Sequence, residues 1–424
     1  MPGRNIFACL FLVLPFAPAV SAAGIGREPV ATSVQFSDRG DRLFRAAHFE
    51  DAEAAYLQAI EFDPTNSRAQ RGVARIAAMM SDQHRAARYY SAAYQLNPLD
   101  PDAILGYANN VGDDRARRTL FENFLSVSRD ARAEDVKARM LIADRLGVQA
   151  AVVRDPKRAY RIPLQDTSYG PILRARINRT RELRLLVDTG ASGITLNAVA
   201  ASKLGLDYLT DAAVMGFGSG SPAPARMMRA ESFESGGLTI SNLAVEVTQS
   251  KLIPGADGII GPDLFRDFFV RLDFPGRNLE LTPFDGPFAR SESDASSCAD
   301  CHRAWRIGHL LLMQGAVDGR VEGYFIIDSG SPCSFVSSKV VFDEGNSAEF
   351  SGAQGKQDVR ALGRSITIRI GGRSLVERTP AKFDNSELSA RYGTEITGAV
   401  GYSLLRNLAL SIDYRTGVVR FDRR

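Results

Sequence analysis

The sequence lacks the features that mark disulfide-built, nucleic-acid-binding and membrane-spanning proteins. Its 424 residues include only four cysteines, and its net charge is +3. Because so small a net charge gives no strong basic field, nucleic acid is not an expected partner. Beyond the N-terminus, no segment approaches the roughly 18 to 20 consecutive apolar residues that cross a bilayer. We therefore expect no transmembrane span in the mature chain.

The N-terminus has the pattern of a secretory signal peptide over residues 1–22. Arg4 supplies the positive start, residues 6–20 form the apolar stretch, and Ala22 ends a small-residue cleavage site. Since the apolar stretch continues past Cys9, we reject a lipoprotein site at that cysteine. The pattern predicts an exported protein, periplasmic or secreted.

The remaining cysteines, Cys298, Cys301 and Cys333, are odd in number, which argues against a disulfide framework. Hydrophobic residues make up 45% of the chain, and its length suggests about three domains. The fold must then rest on hydrophobic cores.

Residues 37–150 are rich in alanine, arginine and leucine, with helical periodicity and an internal repeat. Each position named below in the first unit has an identical or similar residue at one constant interval in the second. The first unit contains Ala52, Tyr56, Ala59, Phe62, Asp63 and Pro64, and the second contains Ala86, Tyr90, Ala93, Leu96, Asn97 and Pro98. This pattern resembles the tetratricopeptide repeat, in which small residues let paired helices pack closely. The resemblance implies an all-α solenoid whose groove binds a peptide or protein partner. A helical spacer is the alternative.

From about residue 158 the pattern changes to short apolar runs separated by glycine, proline and asparagine, which predicts β-structure. We place lobe one at residues 158–284, a polar linker at 285–305 and lobe two at 306–424. Asp188-Thr189-Gly190 and Asp328-Ser329-Gly330 each end an apolar run, one in each lobe.

Two landmarks follow these motifs at intervals that are the same in both lobes. Gly261 follows Asp188 at the interval at which Gly401 follows Asp328, and Asp273 and Asp413 likewise follow at a shared, longer interval. The equal spacing indicates a duplicated unit that brings one carboxylate from each lobe to a shared axis. We interpret the later aspartates, Asp273 and Asp413, as structural.

These motifs resemble those of retropepsin-type and pepsin-like aspartic proteases. The resemblance is carried by residues 185–192 and 257–261 in lobe one and by residues 326–331 and 397–401 in lobe two. It implies two all-β lobes with Asp188 and Asp328 as the catalytic pair. It also implies that support residues hold the two loops together: Thr189, Gly190, Ser329 and Gly330.

The chemistry expected of such a pair follows from electrostatics. Two carboxylates about 3 Å apart cannot both ionise, so the pair holds one proton. The ionised carboxylate takes a proton from water, which attacks the scissile carbonyl, and the protonated carboxyl donates to the carbonyl oxygen. No cofactor or metal is required for this reaction.

A protease of this type also needs a flap over the substrate. The glycine-rich segment of lobe one is the candidate: Gly216, Phe217, Gly218 and Gly220. Residues 352–355 are the counterpart in lobe two, with an ordinary surface loop as the alternative. Lobe two carries Pro332 beside the predicted site, so it could be a degraded partner of a lobe-one homodimer. Its intact Asp-Ser-Gly favours the intramolecular pair.

Cys298, Cys301 and His302 form a Cys-x-x-Cys-His pattern that matches covalent attachment of haem c, with His309 or Met313 as the other ligand. The surrounding segment has little apolar sequence to bury a macrocycle. A disulfide or a thiol pair is the alternative, and zinc would need a fourth ligand at an unusual spacing.

Taken together, the patterns predict an exported aspartic endopeptidase that acts on polypeptides, with a helical repeat region ahead of two lobes that enclose one active site. Two rivals stay open. One is a non-catalytic peptide-binding protein that keeps the cleft, and the other is a haem-bearing sensor built on a protease scaffold.

Overall fold

The computed structural model describes residues 27–147, 150–214, 223–249, 253–284, 300–338, 344–352 and 355–422. An array of helices comes first in the chain, and two β-rich lobes follow it. Among the described residues, none of the helices combines the length and the apolar character that crossing a membrane requires.

The helical array contains α1 Arg27–Arg45, α2 Phe49–Phe62, α3 Ser67–Met79, α4 Gln83–Leu96, α5 Pro101–Asn110, α6 Asp114–Val127 and α7 Arg132–Leu146. Side-chain oxygens of Asn66, Asp82, Asp100 and Asp113 accept hydrogen bonds from backbone N–H groups in the first turns of α3, α4, α5 and α6. These caps satisfy otherwise unpaired donors and explain where those helices begin. Helix α1 begins ahead of residue 37, so the helical region extends further toward the N-terminus than the repeat pattern indicated.

Lobe one contains β1 Val152–Val153, β2 Tyr160–Asp166, β3 Pro171–Ile177, β4 Glu182–Val187, β5 Ile194–Asn197, β6 Asp207–Val214, β7 Ala223–Ser235, β8 Leu238–Thr248, β9 Gly258–Ile260, β10 Phe268–Asp273 and β11 Asn278–Pro283. Alternate residues of β2 are buried, as period-two side-chain alternation requires. By contrast, the residues at the end of β4 are all buried, so this strand runs through the interior of the lobe.

Lobe two contains β12 Cys301–Arg303, β13 Trp305–Ile307, β14 Leu310–Val317, β15 Val321–Ile327, β16 Phe335–Ser337, β17 Glu344–Gly352, β18 Gly355–Leu362, β19 Ile366–Ile370, β20 Arg373–Glu377, β21 Ala381–Phe383, β22 Gly398–Val400, β23 Ala409–Asp413 and β24 Val418–Asp422. The end of β15 repeats the buried run of β4. The two lobes therefore each send one apolar strand through their core.

Strands of both lobes join in one sheet with the order β12-β24-β23-β10-β11-β2. At its centre, β10 of lobe one pairs antiparallel with β23 of lobe two, with Val270 opposite Ile412. The edge strand β12 pairs with β24, so residues 301–303 belong to this sheet although their composition suggested a linker. Asp273 and Asp413 end the two central strands and are fully buried, each bonded to a backbone N–H group of the turn that follows.

The helical array and lobe two share one hydrophobic core. The ring of Phe49, at the start of α2, lies 4.9 Å from the ring of Trp305 and 4.8 Å from that of Tyr324. Hydrogen bonds surround this contact: the Arg75 guanidinium donates to the Tyr392 carbonyl at 2.6 Å, and the Thr394 hydroxyl donates to the carbonyl of Phe44 at 2.8 Å. Neither side of this interface could be exposed to water without loss of buried apolar area.

The other end of the helical array contacts lobe one. Arg145 in the last turn of α7 donates to the Tyr208 carbonyl at 2.9 Å, and the Asn242 side chain donates to the Leu146 carbonyl at 2.7 Å. The array thus reaches from lobe two at its beginning to lobe one at its end.

We expect Phe49→Ala to destabilise the junction between the helices and lobe two by about 3 to 5 kcal/mol, because a fully buried ring is removed. Trp305 is the only tryptophan of the chain and lies at this junction, so its fluorescence during urea unfolding reports on the contact directly. Phe62→Ala, at a ring that is 45% exposed, is the matched control and should lower the midpoint much less. Equal shifts for both variants would contradict the shared core.

Candidate active site

The two aspartates are delivered by matching strand arrangements in the two lobes. Strand β4 runs parallel to β9 with Val187 opposite Ile260, and β15 runs parallel to β22 with Ile327 opposite Val400. Each strand ends at its aspartate. The backbone N–H of Asp188 donates to Ile260 O at 3.0 Å. The N–H of Asp328 donates to Val400 O at the same distance.

Glycine follows each Asp-Thr or Asp-Ser pair because the two loops meet face to face. The N–H of Gly190 donates to Asp188 Oδ1 at 2.7 Å, and the N–H of Gly330 donates to Asp328 Oδ1 at 3.0 Å. A methyl group on Gly190 would lie 3.1 Å from Asp328 Cγ, and one on Gly330 would collide with the Asp188 carboxylate. Each lobe therefore needs a residue without a side chain where it faces the carboxylate of the other.

Thr189 and Ser329 exchange four hydrogen bonds across the lobe interface. Each hydroxyl accepts from the other residue's backbone N–H, at 3.0 Å for Thr189 N and 2.9 Å for Ser329 N. Each hydroxyl also donates to a carbonyl at the end of the opposite strand: Thr189 to Ile327 O at 2.7 Å and Ser329 to Val187 O at 2.8 Å. All four bonds are buried, where a hydrogen bond is stronger than it is in water, so they hold the two loops together.

The resulting site is a pair of neighbouring carboxyl groups: a methyl group on Gly190 would lie 3.1 Å from Asp328 Oδ1 and 3.2 Å from Asp188 Oδ1. Burial raises the pKa of Asp188 well above its ordinary value, and the neighbouring Asp328 raises it further. Burial also raises the pKa of Asp328, although a hydrogen bond with Asp188 and the N–H groups of Ser331 and Gly330 oppose the rise. Two groups with these environments hold one proton between them over a wide pH range.

In each lobe a second carboxylate, which the sequence analysis missed, holds the loop that follows Asp188 or Asp328. In lobe one, Asp263 accepts from Gly193 N at 2.9 Å and from the Ser192 hydroxyl at 2.6 Å. The offset that relates Asp188 to Asp328 puts Ser403 at the position of Asp263. There Glu377 supplies the carboxylate instead, accepting from Ser334 N and from the Ser403 hydroxyl. No spacing in the sequence pointed to Glu377.

A further contact between the lobes lies beside the site. Asp166, where β2 ends, accepts from the Tyr402 hydroxyl at 2.9 Å and from the Arg406 guanidinium at 2.6 Å. The Tyr402 ring packs edge-on against Phe274, 5.5 Å between centroids. Sequence reasoning missed this contact as well, because its members lie far apart in the chain and outside the repeated motifs.

Several of the other sequence candidates lie outside the described residues. These are Cys298, residues 353–354 between β17 and β18, and the predicted flap Gly216, Phe217, Gly218 and Gly220. Cys301 is disulfide-bonded, and His302 lies in β12.

Cys333 is a free, partly buried thiol close to Asp328 in the sequence. Burial raises the pKa of Cys333 to about 12. The thiol therefore stays protonated at neutral pH and is not a nucleophile.

A comparison with known protein families matches part of lobe one. Residues 173–264, which include Asp188 and Gly261, match the model of a family described as aspartyl protease. Among solved structures, an aspartic proteinase from Irpex lacteus is similar, with 13% identity, a TM-score of 0.41, and coverage of 63% of this chain and 97% of that protein. No curated protein matches the sequence. The family match supports a peptidase of the aspartic type.

Thr189→Val should lower the free energy of unfolding by at least about 2 kcal/mol, because it leaves Ile327 O and Ser329 N buried without partners. Urea denaturation measures the loss. Thr195→Val is the control: it deletes one hydroxyl hydrogen bond, to Glu246, at a half-buried position of the same lobe, and should cost about 1 kcal/mol or less. A loss for Thr189→Val no larger than the control's would show that the cross-lobe bonds do not hold the loops.

Asp188→Asn should stabilise the protein more at pH 7 than at pH 3. The raised pKa means that the folded state retains a proton that the unfolded chain releases, so this group's contribution is full below about pH 4 and is lost as pH rises toward the folded-state pKa. The gain at pH 7 should be on the order of 1 kcal/mol or more. Urea unfolding at both pH values measures it.

Asp318→Asn is a control of opposite sign for that experiment. Despite partial burial, hydrogen bonds from Thr367 N and from the Arg364 guanidinium hold the pKa of Asp318 below its ordinary value. Its replacement should cost stability at pH 7 and not at pH 3. The prediction for the dyad is wrong when Asp188→Asn shows the same pH dependence as this control.

Proposed function

We propose that the protein is an exported aspartic endopeptidase whose single active site is formed by Asp188 and Asp328. The observation that carries the proposal is the pair of neighbouring carboxyl groups, one from each lobe of the same chain, that meet beside Gly190 and Gly330. The four reciprocal bonds of Thr189 and Ser329 support it, since they fix the two loops that carry these carboxyls.

The reaction proposed for this site is hydrolysis of a peptide bond by an activated water. The ionised carboxylate removes a proton from the water, whose oxygen attacks the scissile carbonyl carbon. The protonated carboxyl donates to the carbonyl oxygen, which gives a tetrahedral intermediate with two hydroxyl groups. When the intermediate collapses, the amine leaves with the proton that was taken from water, and a hydroxyl group returns a proton to the other carboxylate, which restores the singly protonated pair. The chain supplies both the acid and the base, so no cofactor is needed in this mechanism.

Asp188→Asn and Asp328→Asn should each lower kcat/KM by about 100-fold to 10,000-fold, since each removes one member of the acid–base pair. A peptide library assayed at roughly pH 3 to 8 gives the substrate for this measurement. Asp267→Asn, at an exposed position of lobe one, is the matched control and should leave kcat/KM unchanged.

The same assay separates the rival functions. Loss with Asp188→Asn alone would indicate a lobe-one homodimer. For an intramolecular pair, a mixture of the two inactive variants stays inactive, because neither chain carries both carboxyls. A wild-type protein that cuts nothing would favour the non-catalytic peptide-binding protein.

We also propose that the helical array is of the tetratricopeptide type. Two contacts at the repeat interval support this: a methyl group on Gly72 would press on the Tyr56 ring, and one on Gly106 would press on the ring of Tyr90. The caps Asn66 and Asp100 are separated by the same interval as these two tyrosines. A protein partner in the groove would meet an array that is fixed to both lobes at its ends.

Export and the use of the cysteines complete the proposal. N-terminal sequencing of the secreted or periplasmic protein should show cleavage near residue 22. For the pattern of Cys298, Cys301 and His302, we favour the disulfide, because a sulfur in a disulfide cannot also bond to haem. A covalent haem absorbance after expression with haem-attachment enzymes would instead support the haem-bearing sensor.

A further inference from the structure

His309 of lobe two contacts the Asp188-Thr189-Gly190 loop of lobe one across the interface between the lobes. His309 follows Gly308 in the turn between β13 and β14, and Gly308 has the positive φ of 63° that such a turn needs. The imidazole Nε2 lies 2.9 Å from the carbonyl oxygen of Gly190. The motifs of the sequence assigned His309 no role beyond that of a haem ligand.

The partner of this imidazole determines which nitrogen carries a proton. A carbonyl oxygen can only accept, so Nε2 must be the donor, whether the ring is neutral or charged. The hydrogen bond therefore does not depend on whether the ring is charged. Positioning and charge are separate effects of the same side chain.

Gly190 is held from both sides as a result. Its N–H donates to Asp188 Oδ1 at 2.7 Å, and its carbonyl accepts from His309. Together these bonds fix the peptide groups on either side of Gly190, and with them the orientation of the Asp188 carboxylate. Such a constraint suits a reaction in which displacement by about 1 Å costs orders of magnitude in rate.

The corresponding contact from lobe one to the loop of lobe two lacks a titratable group. The offset that relates Asp188 to Asp328 also places Tyr169 at the position of His309, and the Tyr169 side chain is 43% exposed. Instead, the backbone at Gly170 approaches the Ser329 carbonyl, where a methyl group would come within 3.0 Å of the oxygen. The imidazole is thus specific to the loop of Asp188.

The charge of His309 acts on the dyad from lobe two. Its positive form opposes the rise that burial causes in the pKa of Asp328. Asp328 lies in the same lobe as His309, and Asp188 lies on the lobe-one loop whose Gly190 carbonyl the ring contacts. Loss of the charge should therefore leave the pair doubly protonated up to a higher pH.

We propose that His309 is a positioning residue of the dyad: its Nε2–H holds the Gly190 carbonyl of the lobe-one loop, and the side chain brings a basic group to the pair from lobe two. The proposal rests on the proposed peptidase function. It adds to that function a residue of lobe two that controls the geometry of the loop of lobe one and the acid limit of activity.

His309→Gln and His309→Phe separate the two effects. Gln places an amide donor near the position of Nε2 but cannot carry charge, whereas Phe removes both. We expect His309→Phe to lower kcat about 10- to 100-fold with little change in KM, and His309→Gln to recover most of kcat. With both variants the acid limb of the kcat/KM profile should move to higher pH, because Asp328 is then harder to ionise.

His84→Gln is the matched control, the same substitution at an exposed position of α4, and should change neither kcat nor the pH profile. An active wild-type enzyme whose kcat and acid limb are unaffected by His309→Phe would overturn the inference while the proposed function stands. An inactive wild-type protein would instead overturn the proposed function.

A second readout needs no turnover. In an Asp188→Asn background, carbon-13 NMR of the labelled Asp328 carboxyl follows its titration with and without His309→Gln. The midpoint should rise when the imidazole is removed. An unchanged midpoint would show that the charge of His309 does not act on Asp328, whatever the enzyme's activity.

Discussion

The structure depends on the buried exchange of hydrogen bonds between Thr189 and Ser329. Each of these residues sits between an aspartate and a glycine, so the bonds that join the lobes are also the bonds that orient the loops. Away from this point the lobes meet through the central strands of the shared sheet and through Asp166. Those contacts fix the lobes relative to one another, whereas the Thr–Ser exchange joins the two loops that carry the carboxyl groups.

Placing the two carboxyl groups so close together costs free energy. Two carboxyl groups at the end of apolar strands lose hydration and repel each other when both are ionised. The loops offset part of this cost with backbone N–H donors, which favour the ionised forms. Asp263 and Glu377 in turn hold those loops from behind. The carboxylates that hold the loops are therefore distinct from the Asp188–Asp328 pair, so the pair can keep an unusual protonation without loosening the backbone.

The local plan of the site could be predicted from the sequence because it follows from the spacing of residues along the chain. Equal intervals from Asp188 to Gly261 and from Asp328 to Gly401 implied equal strand registers, and the registers are equal. Contacts without a repeated counterpart could not be predicted. Asp263 lies in a short helical turn at Pro262–Phe265, whereas Glu377 reaches the loop of lobe two from the end of β20, and His309 has a tyrosine at its equivalent position. The composition of residues 301–303 suggested a linker because so short an edge strand has too little periodicity to be distinguished from polar coil.

The packing of Phe49 against Trp305 and Tyr324 could not be predicted either, since each of these residues looks like an ordinary apolar residue of its own region. It makes the helical array part of the body of lobe two. The helices and the lobes therefore differ in sequence pattern, but the helices and lobe two share one hydrophobic core.

Joining the two lobes in one chain has a consequence for the direction in which a polypeptide can lie. In a cleft between identical halves, a substrate read from its N-terminus and the same substrate turned end for end would meet the same walls. In this protein the halves differ, with His309 in lobe two where lobe one has Tyr169, and Asp263 in lobe one where lobe two has Ser403. For the proposed peptidase the two directions of a substrate are therefore not equivalent, so the residues that contact it on the two sides of the scissile bond can differ.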